Sequence, residues 1–454
     1  MTNLTPNTMS VITPNPKKNY QFYHIYPLGM LKNSDGSYKN ITSLTEFIPH
    51  LKELSINALY IGPLFKSERH GYDTIDYYQI DPRLGTNEDG ITFFRSCHNE
   101  GIDIIVDCVF NHVSRGFFAF QDVCQNREYS AYKDWFMIDF NQNKGDCGFG
   151  YASWDSHDEL VKLNLSNREV KDYLLQVVRY WMETYHIDGL RMDAADVMDR
   201  TFLRELNHMT KSIKPDFFIM GEMVHGDYSK MIEETGIDSV SNYECYKGLY
   251  SSLNDVNYHE IAYSFNRLFG PWGLNHNHNL YNFVDNHDVN RVASTLVNQA
   301  DLYPLYIMLY TMKGYTSIYY KSEIGVKGVR SPYSDDALRP TYDVTELSGC
   351  EKQPLYNCVK RLADIRKNHE GLCYGEHKTL LVESDLIAYK RTTKESAYVI
   401  IINNSNNTRI ISEKEIGGYP IKGYDLLNQE DVIQERINIY PNWGKIIELN
   451  HIAN

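Results

Sequence analysis

Short apolar runs typical of β-strands alternate with helical stretches along most of the chain. Each of five such runs is followed directly by Gly or Asp. The runs are Ile56–Ile61, Ile102–Val106, Ile187–Met192, Phe217–Met220 and Leu280–Val284. Between the second and third runs, residues 168–185 repeat apolar side chains at three- and four-residue steps, which predicts an amphipathic helix. Alternating strands and helices are typical of a parallel sheet, and a chain of 454 residues is long enough for a (β/α)8 TIM barrel.

Two segments depart from this alternation. Residues 113–165 are too many for one connecting helix and are rich in glycines and aromatic residues, so we predict an inserted domain after the third strand. After residue 372, short strand-type runs at 379–391, 397–403 and 432–449 are separated by Asn, Ser and Gly turns. We therefore predict a barrel from residues 1–112 and 166–372, an inserted domain at 113–165, and a C-terminal antiparallel β-sandwich at 373–454.

Composition and charge narrow the class of protein. Hydrophobic residues make up 42% and charged residues 23% of the chain, as in globular proteins. The net charge of -14 repels phosphate backbones and anionic membranes, so we expect neither nucleic acid nor membrane as a partner. No apolar stretch reaches the roughly 18 residues of a membrane span. Residues 1–19 lack the apolar core of a secretory signal, which predicts a cytoplasmic protein.

Eight cysteines are scattered along the chain without a C-x-x-C spacing. They could form a disulfide or metal framework, or they could be reduced structural thiols. Disulfide frameworks belong mainly to short secreted chains, so we expect reduced thiols.

Polar clusters follow four of the predicted strands. They are residues 107–112, 189–193, 221–223 and 285–288. In a barrel, the carboxyl ends of the strands form one face, and that face carries the active site. We therefore expect these four clusters to meet.

Three of the clusters contain carboxylic acids suited to glycosidic chemistry. Arg191 and Asp193 lie on the same face of their strand, and an arginine beside a carboxylate is expected to lower its pKa, as a nucleophile requires. Glu222 follows apolar residues and glycine, a setting expected to raise a carboxyl pKa toward use as a general acid. Asp288 supplies a third acid. One ionised and one protonated carboxyl flanking a sugar bond are the minimal apparatus for hydrolysis of a glycoside.

Each of the polar residues in these clusters, taken alone, could have a purely structural role. Arg191 and Asp193 could form a structural ion pair, His112 or His287 could be a core histidine, and Asp285 could cap a helix. The occurrence of all four clusters in order favours the catalytic interpretation.

These motifs resemble those of the α-amylase superfamily, glycoside hydrolase family 13. The four motifs of the family correspond to Asp107–His112, Gly189–Asp193, Gly221–His225 and Asn286–Asp288. The resemblance runs from about residue 20 into the C-terminal β region.

The resemblance implies a role for each site residue. Asp193 would be the nucleophile, Glu222 the general acid/base, and Asp288 the acid that stabilises the transition state. The substrate-binding residues would be Arg191, His112, His287 and Tyr72, the last stacking on the sugar at the cleavage site. Tyr72 lies in His70–Thr74, and its alternative explanation is a packed loop tyrosine.

Two segments resemble the neopullulanase and cyclomaltodextrinase branch: Val161–Asn164 and Tyr132–Phe136. Members of that branch often carry an N-terminal β domain that builds a dimeric site. This chain begins close to the first predicted strand, so we do not expect that domain, and a monomer and a dimer both stay open.

Two features differ from the family pattern. Many members bind a structural calcium through the Asn of the first motif and a His after the nucleophile. Asn111 is present, but Ala194–Val197 contains no His, so we expect no required cofactor. Near the eighth strand, Lys313 and Lys321 replace residues of the usual motif. Lys321 could pair with a carboxylate at the barrel mouth, or it could be a surface lysine.

The sequence thus predicts a retaining hydrolase of α-1,4-glucosidic bonds in maltodextrins, of the α-amylase type. One alternative is a cyclomaltodextrinase or neopullulanase with transglycosylation. An alternative from another class is a non-catalytic glucan-binding relative, which the presence of all three acids disfavours. The expected partners are α-glucan oligosaccharides.

Overall fold

The computed structural model describes residues 18–143 and 147–449, and its centre is an eight-stranded parallel sheet. The strands are β1 (Gln21–Ile25), β2 (Ala58–Ile61), β3 (Asp103–Cys108), β4 (Gly189–Met192), β5 (Phe218–Gly221), β6 (Ser239–Val240), β7 (Tyr281–Asn282) and β8 (Tyr315–Tyr319). Their order is β6-β5-β4-β3-β2-β1-β8-β7, and a parallel bridge between Ser241 and Tyr281 joins the two edges. The predicted (β/α)8 barrel is confirmed.

The α-helices of the described residues lie between and around these strands. They span Pro27–Met30, Ile48–Glu53, Asn87–Asn99, Phe118–Asn126, Arg168–Thr184, Arg200–Ile213, Tyr228–Thr235, Tyr243–Asn254, Tyr258–Phe269, Val292–Thr295, Leu302–Thr311, Pro354–Asn368 and Gly371–Tyr374. The helix predicted at 168–185 begins where the Asn167 side chain accepts hydrogen bonds from the amides of Glu169 and Val170. None of the helices in the described ranges has the length and apolarity required to cross a membrane.

Aromatic side chains fill the inside of the barrel. The buried cluster there includes Tyr20, Phe22, Tyr60, Phe218 and Tyr281, among others. The Tyr20 and Phe218 rings meet edge to face with centroids 5.2 Å apart. The barrel is therefore a packed core, and part of the high tyrosine content serves this packing.

The segment between β3 and helix Arg168–Thr184 contains small antiparallel sheets. His112–Ser114 and Ser153–Trp154 both pair with His157–Lys162, and Ile138–Asp139 pairs with Gly150–Tyr151. The insertion after the third strand therefore has the predicted place in the fold. Its boundaries at 113 and 165, and the boundary at 373, stay predictions.

The C-terminal region is antiparallel, as predicted. Its six-stranded sheet contains Glu376–Val382, Leu386–Thr392, Ala397–Asn403, Gly423–Asp425, Glu430–Val432 and Trp443–Leu449. A second sheet, Arg409–Ser412 with Arg436–Ile439, shares a buried apolar cluster with the first, which gives two layers. The run predicted at 379–391 is two strands, because residues 383–385 turn the chain back on itself.

Residues 1–17, which contain most of the segment predicted to lack a secretory signal, lie outside the described residues.

Candidate active site

The predicted site residues meet at the carboxyl end of the barrel. Asp107 lies within β3 beside Arg191 of β4, and these two residues are register partners. Asp193 directly follows β4, and Glu222 directly follows β5. Asp288 lies in the loop after β7. The parallel register therefore brings the four sequence clusters together, as expected from their positions at strand ends.

Arg191 is the residue around which the acids are arranged. Its Nη1 lies 2.8 Å from Asp193 Oδ1 and 2.9 Å from Asp107 Oδ1, while Nη2 lies 2.7 Å from Glu222 Oε1. The guanidinium is almost completely buried, and the nearby acids raise its pKa against the effect of burial. A planar guanidinium with several fixed donors can orient these carboxyls simultaneously.

The prediction that the pKa of Asp193 is lowered is wrong. Burial raises the pKa of this carboxyl well above its usual range. Arg191 lowers it, as predicted, but does not outweigh burial, and the carboxylates of Glu222 and Asp107 raise it further. Sequence spacing revealed the arginine but not the depth of burial or the other acids. The carboxyl group of Asp193 therefore favours retention of its proton.

Glu222 is held by donors from three directions. Besides Arg191, the Ala194 amide donates to Glu222 Oε2 at 3.1 Å, and the Tyr243 hydroxyl lies 3.4 Å from Oε1. Ala194 has a φ of 48°, a left-handed conformation that is unfavourable for a non-glycine residue. This backbone strain occurs at the residue whose amide contacts Glu222, as is common at functional sites. The predicted rise in the Glu222 pKa stays a prediction.

Asp288 has a cationic environment that differs from that of Asp193. His287 Nε2 lies 2.9 Å from Asp288 Oδ2, and Arg339 Nη2 lies 3.3 Å from Oδ1. Burial raises the pKa of Asp288, but His287 and Arg339 lower it below its usual range. The side chain is 34% exposed, so solvent screens part of this effect. Asp288 is thus more readily ionised than Asp193.

Tyr72 and His112 complete the predicted set. The Tyr72 hydroxyl donates to Asp107 Oδ2 at 3.0 Å and contacts His287 Nε2, and its ring stacks on His287 with centroids 5.3 Å apart. His112 Nε2 lies 3.1 Å from the Tyr72 carbonyl oxygen. Burial lowers the pKa of His112 to about 4. All seven predicted residues are therefore in one connected network.

Other residues of the network were missed as site residues. Asp107 was quoted in the first motif but was not given a role, although it contacts Arg191 and Tyr72. Tyr60 donates to Asp107 Oδ2 at 2.7 Å, and Tyr243 contacts Glu222. Tyr60 lies within β2 and Tyr243 lies three residues after β6, and these positions could have indicated them. Arg339 comes from a long loop after β8, and no motif in the sequence pointed to it.

The two departures from the family pattern have structural explanations. Asn111 Nδ2 lies 3.2 Å from His112 Nδ1, and Ala194 and Ala195 supply no side-chain ligand nearby, so this donor set does not fit the structural calcium that many family members bind. Lys321 is buried: its Nζ lies 2.6 Å from Glu346 Oε2 and 4.8 Å from the centre of the Tyr342 ring. Of the two proposed roles for Lys321, pairing with a carboxylate is the observed one, and that carboxylate is not one of the catalytic candidates.

Comparisons with known proteins agree with this geometry. The α-amylase catalytic-domain family matches residues 24–348. A cyclomaltodextrinase of Thermoanaerobacter pseudethanolicus is 32% identical over 438 residues, covering 94% of this chain and 74% of that protein. Neopullulanase 2 of Thermoactinomyces vulgaris is 33% identical over 426 residues, covering 90% of this chain and 70% of that protein. A cyclomaltodextrinase of Geobacillus thermopakistaniensis is 31% identical over 375 residues, covering 81% of this chain and 62% of that protein.

Solved structures show the same fold. The cyclic α-maltosyl-(1→6)-maltose hydrolase of Arthrobacter globiformis has a TM-score of 0.82 with this chain at 22% identity, covering 95% of this chain and 98% of that one. The family match, the sequence relatives and the barrel site lead to one conclusion: this chain belongs to the α-amylase family of glycoside hydrolases and is an enzyme that hydrolyses O-glycosyl bonds.

Proposed function

We propose that this chain is a retaining hydrolase of α-1,4-glucosidic bonds in short maltodextrins and cyclodextrins. The observation that carries the proposal is the shared guanidinium: Arg191 contacts both Asp193 and Glu222 at 2.7–2.8 Å. Two carboxyls bound to one planar group favour the short separation of about 5–5.5 Å that retaining enzymes use. Inverting enzymes need a wider gap with room for a water molecule.

The two acids would act in two steps. Asp193 attacks the anomeric carbon while Glu222 donates a proton to the departing glycosidic oxygen, so the C–O bond breaks and a glycosyl ester forms. Glu222 then takes a proton from water, and the resulting nucleophile attacks the anomeric carbon and releases Asp193. The first step requires Glu222 to be protonated while Asp193 is ionised.

The remaining residues would bind the sugar at the cleavage site. Asp288 would accept hydrogen bonds from its hydroxyls and stabilise the positive charge of the oxocarbenium-like transition state. His112 would hold the Tyr72 backbone and His287 would hold Asp288, so that Tyr72 would present its ring to the sugar face. Arg191 would orient the acids.

The substrate class rests on the relatives. The three sequence relatives described above are named cyclomaltodextrinase or neopullulanase, which favours this branch over a starch-degrading α-amylase. Product analysis on maltoheptaose, β-cyclodextrin, pullulan and soluble starch tests the choice. We expect higher kcat/KM on β-cyclodextrin and maltoheptaose than on starch. A clear preference for starch would contradict the proposed substrate class and favour the α-amylase type.

A further inference from the structure

In the inserted segment, helix Phe118–Asn126 packs against strand Gly150–Tyr151. The ring of Phe120 meets the rings of Phe149 and Tyr151 edge to face, with centroids 6.1 and 5.0 Å apart. Phe120 and Phe149 are completely buried. These aromatic contacts hold the helix and the strand side by side.

Two cysteines lie at the same junction. Cys124 follows Phe120 by one helical turn and therefore shares its face of the helix, while Cys147 lies two residues before Phe149. The Sγ atoms of the two cysteines are 3.0 Å apart, although 23 positions separate them along the chain. Because the S–S bond of a disulfide measures about 2.0 Å, the two sulfurs need to approach by only about 1 Å to be joined.

Two arginines position Cys147 from outside the pair. Arg127 Nη1 donates to the carbonyl oxygen of Cys147 at 3.2 Å, and Arg127 Nη2 donates to that of Gly148 at 3.3 Å. Arg115 Nη2 lies 3.0 Å from Cys147 Sγ. Both the backbone and the sulfur of Cys147 are therefore held beside the helix that carries Cys124.

Exposure separates this pair from the other cysteines. Cys124 and Cys147 are partly exposed, whereas the other six cysteines are buried. Burial also raises the pKa of Cys97 and Cys358 to about 12, which keeps these two as unreactive thiols. A soluble reagent therefore reaches the sulfurs of Cys124 and Cys147 more readily than those in the core.

The surroundings of the pair do not suit a metal ion. A zinc site in a protein needs about four N, S or O ligands. Across residues 18–143 and 147–449, the structure contains no group of three or more His, Cys, Asp or Glu side chains that could hold a metal. The group next to Cys147 Sγ is instead the Arg115 guanidinium, which is a cation. The arrangement fits joining of the two sulfurs better than binding of a metal.

We infer that Cys124 and Cys147 are a redox modification site, at which the two residues form a disulfide when the folded protein meets a small disulfide oxidant such as glutathione disulfide. One sulfur of the pair attacks a sulfur of the oxidant, so the S–S bond of the oxidant breaks and one glutathione leaves. The second sulfur of the pair then attacks the protein sulfur of this mixed disulfide, and the second glutathione leaves. The two protein thiols are oxidised and lose two protons, and the oxidant is reduced to two thiols that take up those protons.

Peptide mapping of the folded, full-length protein tests this site without relying on its catalytic activity. Trypsin cleaves after the Arg at position 127 and the Lys at position 144, so Cys124 and Cys147 fall in separate peptides, 116–127 and 145–162. After treatment with glutathione disulfide and alkylation of the remaining thiols, we expect these two peptides to be recovered as one cross-linked pair. Before alkylation, the intact protein should be lighter than the untreated protein by two hydrogen atoms.

Variants identify the two sulfurs. Cys124→Ser and Cys147→Ser should each abolish the cross-linked pair. Cys358→Ala is the matched control, because it removes a buried cysteine from another helix and should give the same cross-linked pair as the wild type. The wild-type result alone decides the inference if a variant fails to fold. A wild-type protein that stays unmodified, keeps glutathione on either residue, or cross-links other cysteines while folded would overturn it.

Discussion

The guanidinium of Arg191 lies 2.8 Å from the carboxylate of Asp193, which follows it by two residues on the same face of the chain. The same guanidinium contacts Asp107 and Glu222. Burial raises the pKa of Asp193, and the nearby Glu222 and Asp107 carboxylates raise it further against the effect of Arg191. A double displacement at a sugar requires such a cluster, in which one acid is ionised while its neighbour is protonated.

The nucleophile is tested by Asp193→Asn. Asparagine preserves the shape of the side chain but cannot form the glycosyl ester, so we expect kcat on maltoheptaose to fall by about ten thousand-fold or more. Asp196→Asn is the matched control, because Asp196 lies three residues further on, outside the acid cluster. Release of reducing sugar measures both variants. Activity of Asp193→Asn close to that of Asp196→Asn would exclude Asp193 as the nucleophile.

The same substitution has a pH-dependent effect on stability. The folded-state pKa of Asp193 is raised above the unfolded value of about 3.9, so its favourable contribution is present below that value and is lost as the pH rises. We expect Asp193→Asn to gain stability relative to the wild type with rising pH, by up to about 1.4 kcal/mol per pH unit. Denaturant unfolding at several pH values between about 4 and 8 measures the difference.

Asp288→Asn is the control with the opposite sign. The pKa of Asp288 is lowered in the folded state, so this residue stabilises the protein above the unfolded pKa and ceases to do so as the pH falls. We expect Asp288→Asn to be less stable than the wild type at neutral pH and equal to it in acid. The same trend with pH in both variants would refute the assigned pKa directions.

The general acid is tested by the leaving group. Glu222→Gln cannot donate a proton, so we expect a loss of about a hundred- to ten thousand-fold on maltodextrins. α-Maltosyl fluoride needs no proton for its departure, so the loss on that substrate should be much smaller. Steady-state rates on the two substrates give the comparison. An equal loss on both would argue for a structural role of Glu222.

His112 is expected to position Tyr72 as a neutral imidazole, because its Nε2 donates to the Tyr72 carbonyl oxygen at 3.1 Å. Because burial lowers its pKa to about 4, it stays uncharged at and above pH 5 or so. We expect His112→Gln to reduce kcat/KM about ten-fold, the cost of one hydrogen bond, without moving either limb of the pH–rate profile. A limb near neutral pH that disappears in this variant would show that His112 titrates during catalysis.

The barrel and the meeting of the four strand-end clusters could be predicted because strand periodicity and strand-end polarity are local signals, whereas Tyr72 was indicated only by the family resemblance. The pKa of Asp193 could not, because its direction depends on burial and on Glu222 and Asp107, which come from other strands. Arg339 reaches Asp288 from a loop without regular periodicity. The function of most tyrosines was also hidden, since composition does not distinguish Tyr281 in the barrel interior from Tyr243 beside Glu222.

The anomeric configuration of the first product tests the central claim most directly. Proton NMR during the first turnovers of maltoheptaose hydrolysis distinguishes the α- from the β-anomer before mutarotation. Double displacement through Asp193 predicts that the α-anomer appears first. Initial release of the β-anomer would contradict the retaining mechanism and the roles proposed for Asp193 and Glu222.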